Sequence, residues 1–335
     1  MREFRLIEKA IDNFGLDLKN IKVLTEAASG NFIWTSLIAA LAGAHVFAYS
    51  KDSKYASFRD VENNTKRIAK KLGVRNNLNI ISELNKNVIN CSDIITNTGF
   101  LRPLDYEKLQ YCKKGVVIPL MYEAWEFRTL DIDREYCKKN NIPILGTNES
   151  DHRLETFKYL GVVAKKALLL NNIEVFKSKI VILGFGTFAD AIYDSLKTEV
   201  DFIEIWNTKE MIKDFSMIDA FIIADHQTET EYVGINGLIN PEDIKRLNQN
   251  LIIIHISGNI NVDIIQENFI KIYPRSVANF KCMSLTTDFV GPKPIIDLHT
   301  AGLKVGELYL RNYLNNGDFD TAIQKCSKEE LIQIL

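Results

Sequence analysis

The chain is poor in the residues that would place it outside ordinary α/β protein chemistry. It has 5 cysteines in 335 residues, an odd number, with no Cys-x-x-Cys pair and no metal-ligand spacing. That argues against a disulfide framework or a zinc module. Cys91, Cys112, Cys137, Cys282 and Cys326 read as reduced packing thiols of a cytoplasmic protein, with no metal expected. Charge of one sign is also lacking: 41 Lys and Arg face 43 Asp and Glu, a net charge of −2. Basic residues come as pairs such as Lys70-Lys71 and Lys165-Lys166 rather than as blocks, so neither nucleic acid nor an anionic membrane is an expected partner. No repeat or low-complexity segment is present, and Met-Arg-Glu-Phe-Arg has no signal-peptide core. One nearly uncharged stretch, Phe32 to Ser50, has the length of a membrane span. Gly43 interrupts it, and it reads better as a helix capped by Asn31 followed by the strand His45 to Ser50.

What is present is alternation. Helical spacing over residues 4–14 is followed by an apolar strand at Ile21–Leu24, a helix at Ile33–Ala42 and another from Val61 to Leu72. Further strands are expected at 79–81, 93–96, 116–121, 142–145, 220–224, 251–255, 269–273 and 295–298, with helical stretches between many of them. A long amphipathic helix is expected from Asp151 to Leu170, one from Gly302 to Leu314, and a short tail helix capped by Ser327 and Glu330. The fold class is therefore α/β, with two parallel-sheet domains, Rossmann-like or flavodoxin-like, and a cleft between them. The expected boundaries are 1–150, completed by about 300–335, and 151–299.

The stretch with the most chemistry runs from Lys177 to Thr208. Ile180-Val-Ile-Leu183 leads into Gly184-Phe-Gly186-Thr187-Phe188-Ala189, an apolar-periodic helix, and a second strand at Phe202–Trp206. Strand, glycine turn, helix and strand form the βαβ unit that offers backbone N–H groups to a pyrophosphate. Gly184 permits the tight turn, Gly186 lets backbone approach a phosphate, and Ala189 lets helix pack on strand. At the end of the second strand, Asn207 and Thr208 stand where a ribose-binding acid is usual, followed by Lys209. Without a carboxylate to repel a 2′-phosphate, the cofactor is read as NAD or NADP.

Other candidates lie at strand ends. Ser29, Gly30 and Asn31 join a strand to a helix and could hold a polar group of a small-molecule substrate, as could Asn97 in Asn97-Thr98-Gly99. Arg128, in the segment with Glu123 and Trp125, is the candidate carboxylate clamp. His226 and His255 end apolar strands, and His299 precedes the helix expected from Gly302, so all three are candidate catalytic groups.

Over about residues 90–310 the chain resembles two-domain NAD-dependent enzymes of the D-2-hydroxyacid (formate/glycerate) dehydrogenase-like group, and more distantly adenosylhomocysteinase. The resemblance is carried by Asn141-Ile-Pro-Ile-Leu-Gly-Thr147, Gly184–Ala189, the loop from His226 to Asn236, Leu251–Gly258, and Leu298-His299-Thr-Ala-Gly302. It implies a dinucleotide held by Gly184, Gly186, Thr187, Phe188, Asn207, Thr208, His226 and Ser257, hydride transfer with His299 as acid/base, and a homodimer. The group's arginine clamp is absent, since His255-Ile-Ser257-Gly258 stands there, and no glutamate partner for His299 is apparent. A homocysteinase-like hydrolase or lyase with tightly bound NAD, and a non-catalytic dinucleotide-binding protein, stay open as alternatives.

Overall fold

The computed structural model describes residues 2–335, which divide into two compact units: 2–155 with Pro292–Leu335, and Thr156–Gly291. In the first unit, parallel strands β1 (Lys22–Glu26), β2 (His45–Tyr49), β3 (Leu78–Ile81) and β4 (Ile94–Ile95) run in the order β3-β2-β1-β4. A bridge from Ile94 to Val117 continues this to β5 (Ile118–Pro119) and β6 (Ile144–Thr147). The strand β14 (Ile332–Ile334) closes the edge antiparallel to β6.

Helices cover the two faces of this sheet. On one side α1 (Arg2–Phe14), α2 (Trp34–Leu41), α3 (Phe58–Lys71), α11 (Lys293–Asn316) and α12 (Phe319–Cys326) bury Ile7, Leu37, Ile38, Ile68, Leu303 and Ala322. On the other, α4 (Lys86–Cys91) and α6 (Arg134–Lys139), with the single turn α5 (Tyr106–Leu109), bury Ile89, Leu109 and Cys137. A β-carbon on Gly302 would sit 2.3 Å from Met121 Sδ, and one on Gly306 2.9 Å from Ile94 Cδ1. These two glycines, one turn apart, bring α11 down onto the middle of the sheet.

The second unit is a five-stranded parallel sheet. Its strands are β7 (Lys179–Gly184), β8 (Phe202–Trp206), β9 (Ala220–Ala224), β11 (Ile252–Ser257) and β13 (Lys271–Tyr273), in the order β13-β11-β9-β7-β8. A small ribbon of β10 (Glu231–Val233) and β12 (Asn259–Ile260) stands apart. Side chains alternate strictly between two cores, as a sheet covered on both faces requires. Ile180, Ile182, Ala220, Ile222, Ile252 and Ile254 face α7 (Lys158–Leu170) and α8 (Gly186–Leu196). Val181, Leu183, Phe221, Ile223 and Ile253 join the core under α9 (Pro241–Leu247) and α10 (Val262–Glu267). At Gly161 a β-carbon would lie 2.1 Å from Ser195 Cβ, so α7 and α8 touch almost backbone to backbone.

Four local expectations are corrected. The helix expected from Asp151 begins at Lys158, because Asp151 folds back on Arg153 at 2.7 Å and Glu155 adopts a positive φ of 47°. Ile295–Leu298 is helix rather than strand: Pro294 stands in the first turn of α11, where a missing N–H costs nothing. Ser327 ends α12 instead of starting a tail helix, and the apolar tail pairs with the open edge of β6. Asn31 lies inside a 3₁₀ turn, Gly30–Ile33, that precedes α2, so it is not the helix N-cap. Among the described residues no helix is long and apolar enough to cross a membrane; Phe32–Ser50 folds as turn, helix and strand.

Gly184 is the tightest point of the second sheet, with the position of a β-carbon 2.3 Å from the Ala224 carbonyl oxygen. Gly184→Ala should therefore destabilise the protein by about 2 kcal/mol in urea denaturation, since only backbone can yield. Gly30→Ala meets nothing within 4 Å but keeps a φ of +61°, and should cost about 1 kcal/mol, half the effect at Gly184. Equal effects at the two sites would show that the β7–β9 contact is not the constraint described.

Candidate functional site

In the second unit the strand order reverses beside β7, which has β8 on one side and β9 on the other. Loops leaving the carboxyl ends of β7 and β9 diverge, which is where open α/β sheets bind ligands. Leu183 pairs with Trp206 and Gly184 with Ala224, so Gly184–Gly186, Asn207–Thr208 and Asp225–Gln227 all leave the same edge. Phe185 is extended (φ −147°) and its side chain caps nothing; α8 starts at Gly186 with no acid in its first turn. Its first N–H groups and the positive end of its dipole are thus offered to an anion. Gly186 has φ +67°, and the exposed Gln227 amide rests against it, 2.7 Å from the position a β-carbon would take. These features fit a pyrophosphate.

Of the cofactor candidates, several converge here. The Phe188 and His226 rings stack at 5.1 Å and 21°, and His226 Nδ1 meets Ser257 Oγ at 3.1 Å. Thr187 lies in the first turn of α8, open to the same edge. Thr208 follows β8, and its hydroxyl engages Glu210. Ser257 is fully buried, its hydroxyl also reaching the Cys282 carbonyl at 3.4 Å, so it is placed to orient His226 rather than to clamp a carboxylate. His255 lies within β11, fully buried, with Nδ1 on Ser284 Oγ at 2.7 Å and Nε2 on the Gly258 carbonyl at 3.0 Å. Both ring nitrogens are engaged and burial pushes its pKa down, which suits a neutral structural histidine. The buried Asp225 carboxylate holds this loop, accepting from Gln227 N, Thr228 N and the Tyr232 hydroxyl at 2.7–3.0 Å.

The first unit has its own reversal, beside β1, between β2 and β4. Ser29, Gly30 and Asn31 leave β1, and Asn97, Thr98 and Gly99 leave β4, so the structure brings these candidates to one sheet edge. Thr25, Thr96 and Thr98 form a buried hydroxyl chain, each link 2.8 Å. Asn97 donates from Nδ2 to the Tyr122 hydroxyl, and its Oδ1 is buried without a partner. Arg128 is elsewhere: its side chain is 53% exposed and 4.0 Å from Asp131, a surface pair worth little.

His299 sits in the second turn of α11 rather than ahead of a helix, and is 5% exposed. Its Nδ1 meets Thr35 Oγ1 at 2.5 Å, and Thr35 donates to the Phe32 carbonyl at 3.3 Å. With the hydroxyl proton on that carbonyl, Thr35 accepts from Nδ1–H, leaving the lone pair on Nε2. Burial alone lowers its pKa to about 4.

Sequence reasoning missed two acidic features of this unit. Glu26, the last residue of β1, accepts from Phe100 N at 3.3 Å, and burial raises its pKa. Glu126, with its carboxyl bonded to Glu149, is raised to about 7, chiefly by burial, with the Glu123 charge adding to it. Neither sits in a motif; what exposes them is three-dimensional crowding.

No protein-family model and no curated protein sequence matches the chain. Solved structures do match its fold. The dipicolinate synthase A-subunit from Bacillus halodurans aligns with a TM-score of 0.55 and 10% identity, over 88% of this chain and 98% of that protein. Its counterpart in the dipicolinate synthase from Bacillus subtilis aligns with a TM-score of 0.55 and 10% identity, over 89% and 99%. The chain thus shares the two-unit, parallel-sheet α/β fold of these dipicolinate synthase A-subunits. At 10% identity the likeness concerns fold alone.

The His299 environment has a measurable signature. A histidine whose folded pKa is about 4 against about 6.5 unfolded binds fewer protons in the folded state between those values. Its contribution is present above pH 6.5 and is lost as pH falls towards 4, up to about 3 kcal/mol. Urea denaturation across pH 4–7 should show this slope, and His299→Gln should flatten it. A slope unchanged in the variant would contradict the buried, neutral state.

Proposed function

We propose that the protein is an NAD(P)-dependent oxidoreductase acting on a small polar metabolite, with the second unit holding the dinucleotide and the first unit the substrate. One observation carries the reading: the uncapped, acid-free N-terminus of α8 at the β7–β9 reversal, beside a glycine whose β-carbon the Ala224 carbonyl forbids. When bound, the nicotinamide supplies or accepts hydride. The N–H groups of Gly186 and Thr187 would hold its pyrophosphate. Asn207 offers its amide to a ribose hydroxyl and Thr208 lies beside it, while the stacked Phe188 and His226 rings wall the site.

His299 is the proposed acid/base. Neutral at pH 7, it takes a proton at Nε2 from a substrate hydroxyl as that group is oxidised and returns it in the reverse direction. Thr35 is its positioning residue, fixing the tautomer through Nδ1 without adding charge. A neutral partner leaves the imidazole a weaker base than a carboxylate would. That weakness, with Ser257 in place of an arginine, favours one rival: a dinucleotide-binding protein without catalysis.

Fluorescence titration with NADH and NADPH tests the reading first: micromolar to millimolar binding is expected, and none for either would remove it. Asn207→Asp should weaken NADPH about tenfold more than NADH, through repulsion of the 2′-phosphate. His299→Gln should leave both affinities within about twofold while abolishing turnover. Binding with no turnover of any alcohol or carbonyl substrate would favour the non-catalytic rival.

A further inference from the structure

The carboxyl end of the first sheet contains a group that an anion-binding site would not tolerate. Glu26 ends β1 at the reversal, and its carboxyl lies directly on Gly99: a β-carbon there would fall 1.9 Å from Oε1 and 2.0 Å from Cδ. The same oxygen takes the Phe100 N–H at 3.3 Å. One N–H of the loop that leaves β4 is therefore taken by the protein's own carboxylate, and the next two close the turn itself. Strands on both sides of β1 end in unspent polar groups, since Ser50 Oγ after β2 and Asn97 Oδ1 after β4 are buried and without partners. Beyond β1 the turn is open, with nothing within 4 Å of the β-carbon position at Gly30.

We propose that Glu26 selects the substrate at this edge, accepting a hydrogen bond from its hydroxyl or amino group and turning carboxylates away. This rests on the reading that the first unit holds the substrate. The nearby cations do not undo the selection: Arg102 is bound to Asp131 at 3.0 Å while its charge favours the ionised Glu26, and the exposed Lys51 lies over the Phe100 ring at 5.4 Å. A second carboxylate brought beside Glu26 meets like-charge repulsion in a partly desolvated place, while a donor gains a charge-assisted hydrogen bond.

The test compares 3-amino-1,2-propanediol with glycerate, which share a three-carbon chain and two hydroxyls but end in an ammonium and a carboxylate. Each is titrated into the full chain without dinucleotide, following the Phe100 backbone amide by NMR. The wild type should respond to the amino diol at a far lower concentration than to glycerate. Glu26→Gln should bind glycerate about tenfold more tightly than the wild type does, and Glu26→Asp, which keeps the charge, should continue to exclude it. Glycerate affinities within about twofold in wild type and Glu26→Gln, or no response to either probe in either protein, would overturn the proposal. The melting temperature of each variant checks folding. A parallel NADH titration read at the Gly186 and Thr187 amides separates the two readings: loss of that signal alone removes the cofactor assignment and leaves Glu26 standing.

Discussion

Both units depend on one constraint: parallel pairing combined with a strand order that reverses beside the first strand of the sheet. Parallel strands need crossovers, so the loops that follow them collect at the carboxyl edge. Where the order reverses, the loops flanking the first strand part and leave an opening. The chain makes this arrangement twice, at β1 between β2 and β4 and at β7 between β8 and β9. The second opening is kept clear by subtraction, because Gly184 has no side chain and Ala224 approaches it with only a carbonyl. The first is furnished by addition, because β1 delivers a glutamate to the point where β7 delivers a glycine.

That difference sets the electrostatics of each edge. Around α8 the first turn carries no acid, and the Asp225 carboxylate at the same edge is spent on Gln227, Thr228 and Tyr232, which suits a polyanion. Around Glu26, the loop N–H is already spent on a carboxylate and the remaining groups are hydroxyls and an amide. His299 follows the same economy of charge. Its Nδ1 partner is a threonine hydroxyl, so nothing offsets the burial that pushes its pKa to about 4. A carboxylate partner would raise that pKa and hold an imidazolium; Thr35 controls the tautomer and leaves the charge state to burial.

Much of this was legible in the sequence because it is local. The run Ile180–Ala189 shows strand, turn and helix by composition alone, and the buried alternation in β7, β9 and β11 follows from their unbroken apolar runs. Errors fell where a tertiary partner decides the outcome. Ile332 and Ile334 fit an apolar helix or a strand equally well, and the free edge of β6 selects the strand. Ile295–Leu298 looks β-branched and buried, but Pro294 in the first turn commits it to α11. Asp151 satisfies itself on Arg153 and delays α7. Glu26 was invisible because a glutamate after an apolar strand is ordinarily solvated. Only its contact with Gly99 and Phe100, the latter 74 residues further along the chain, desolvates it.

Several residues of the expected pattern are replaced in each unit. An arginine clamp, a carboxylate partner for histidine and an open anion loop serve one purpose, the recognition and turnover of a substrate that carries a carboxylate. This chain has Ser257 buried against His226, Thr35 against His299, and Glu26 in the loop, while Arg128 pairs with Asp131 at the surface. In the proposed reading, Glu26 at the edge of the first unit opposes a carboxylate, while in the second unit Ser257 orients His226 where the resembling group carries an arginine. That reading suits a neutral or donor-bearing ligand in the first unit and leaves the glycine turn at Gly184 in the second unit untouched.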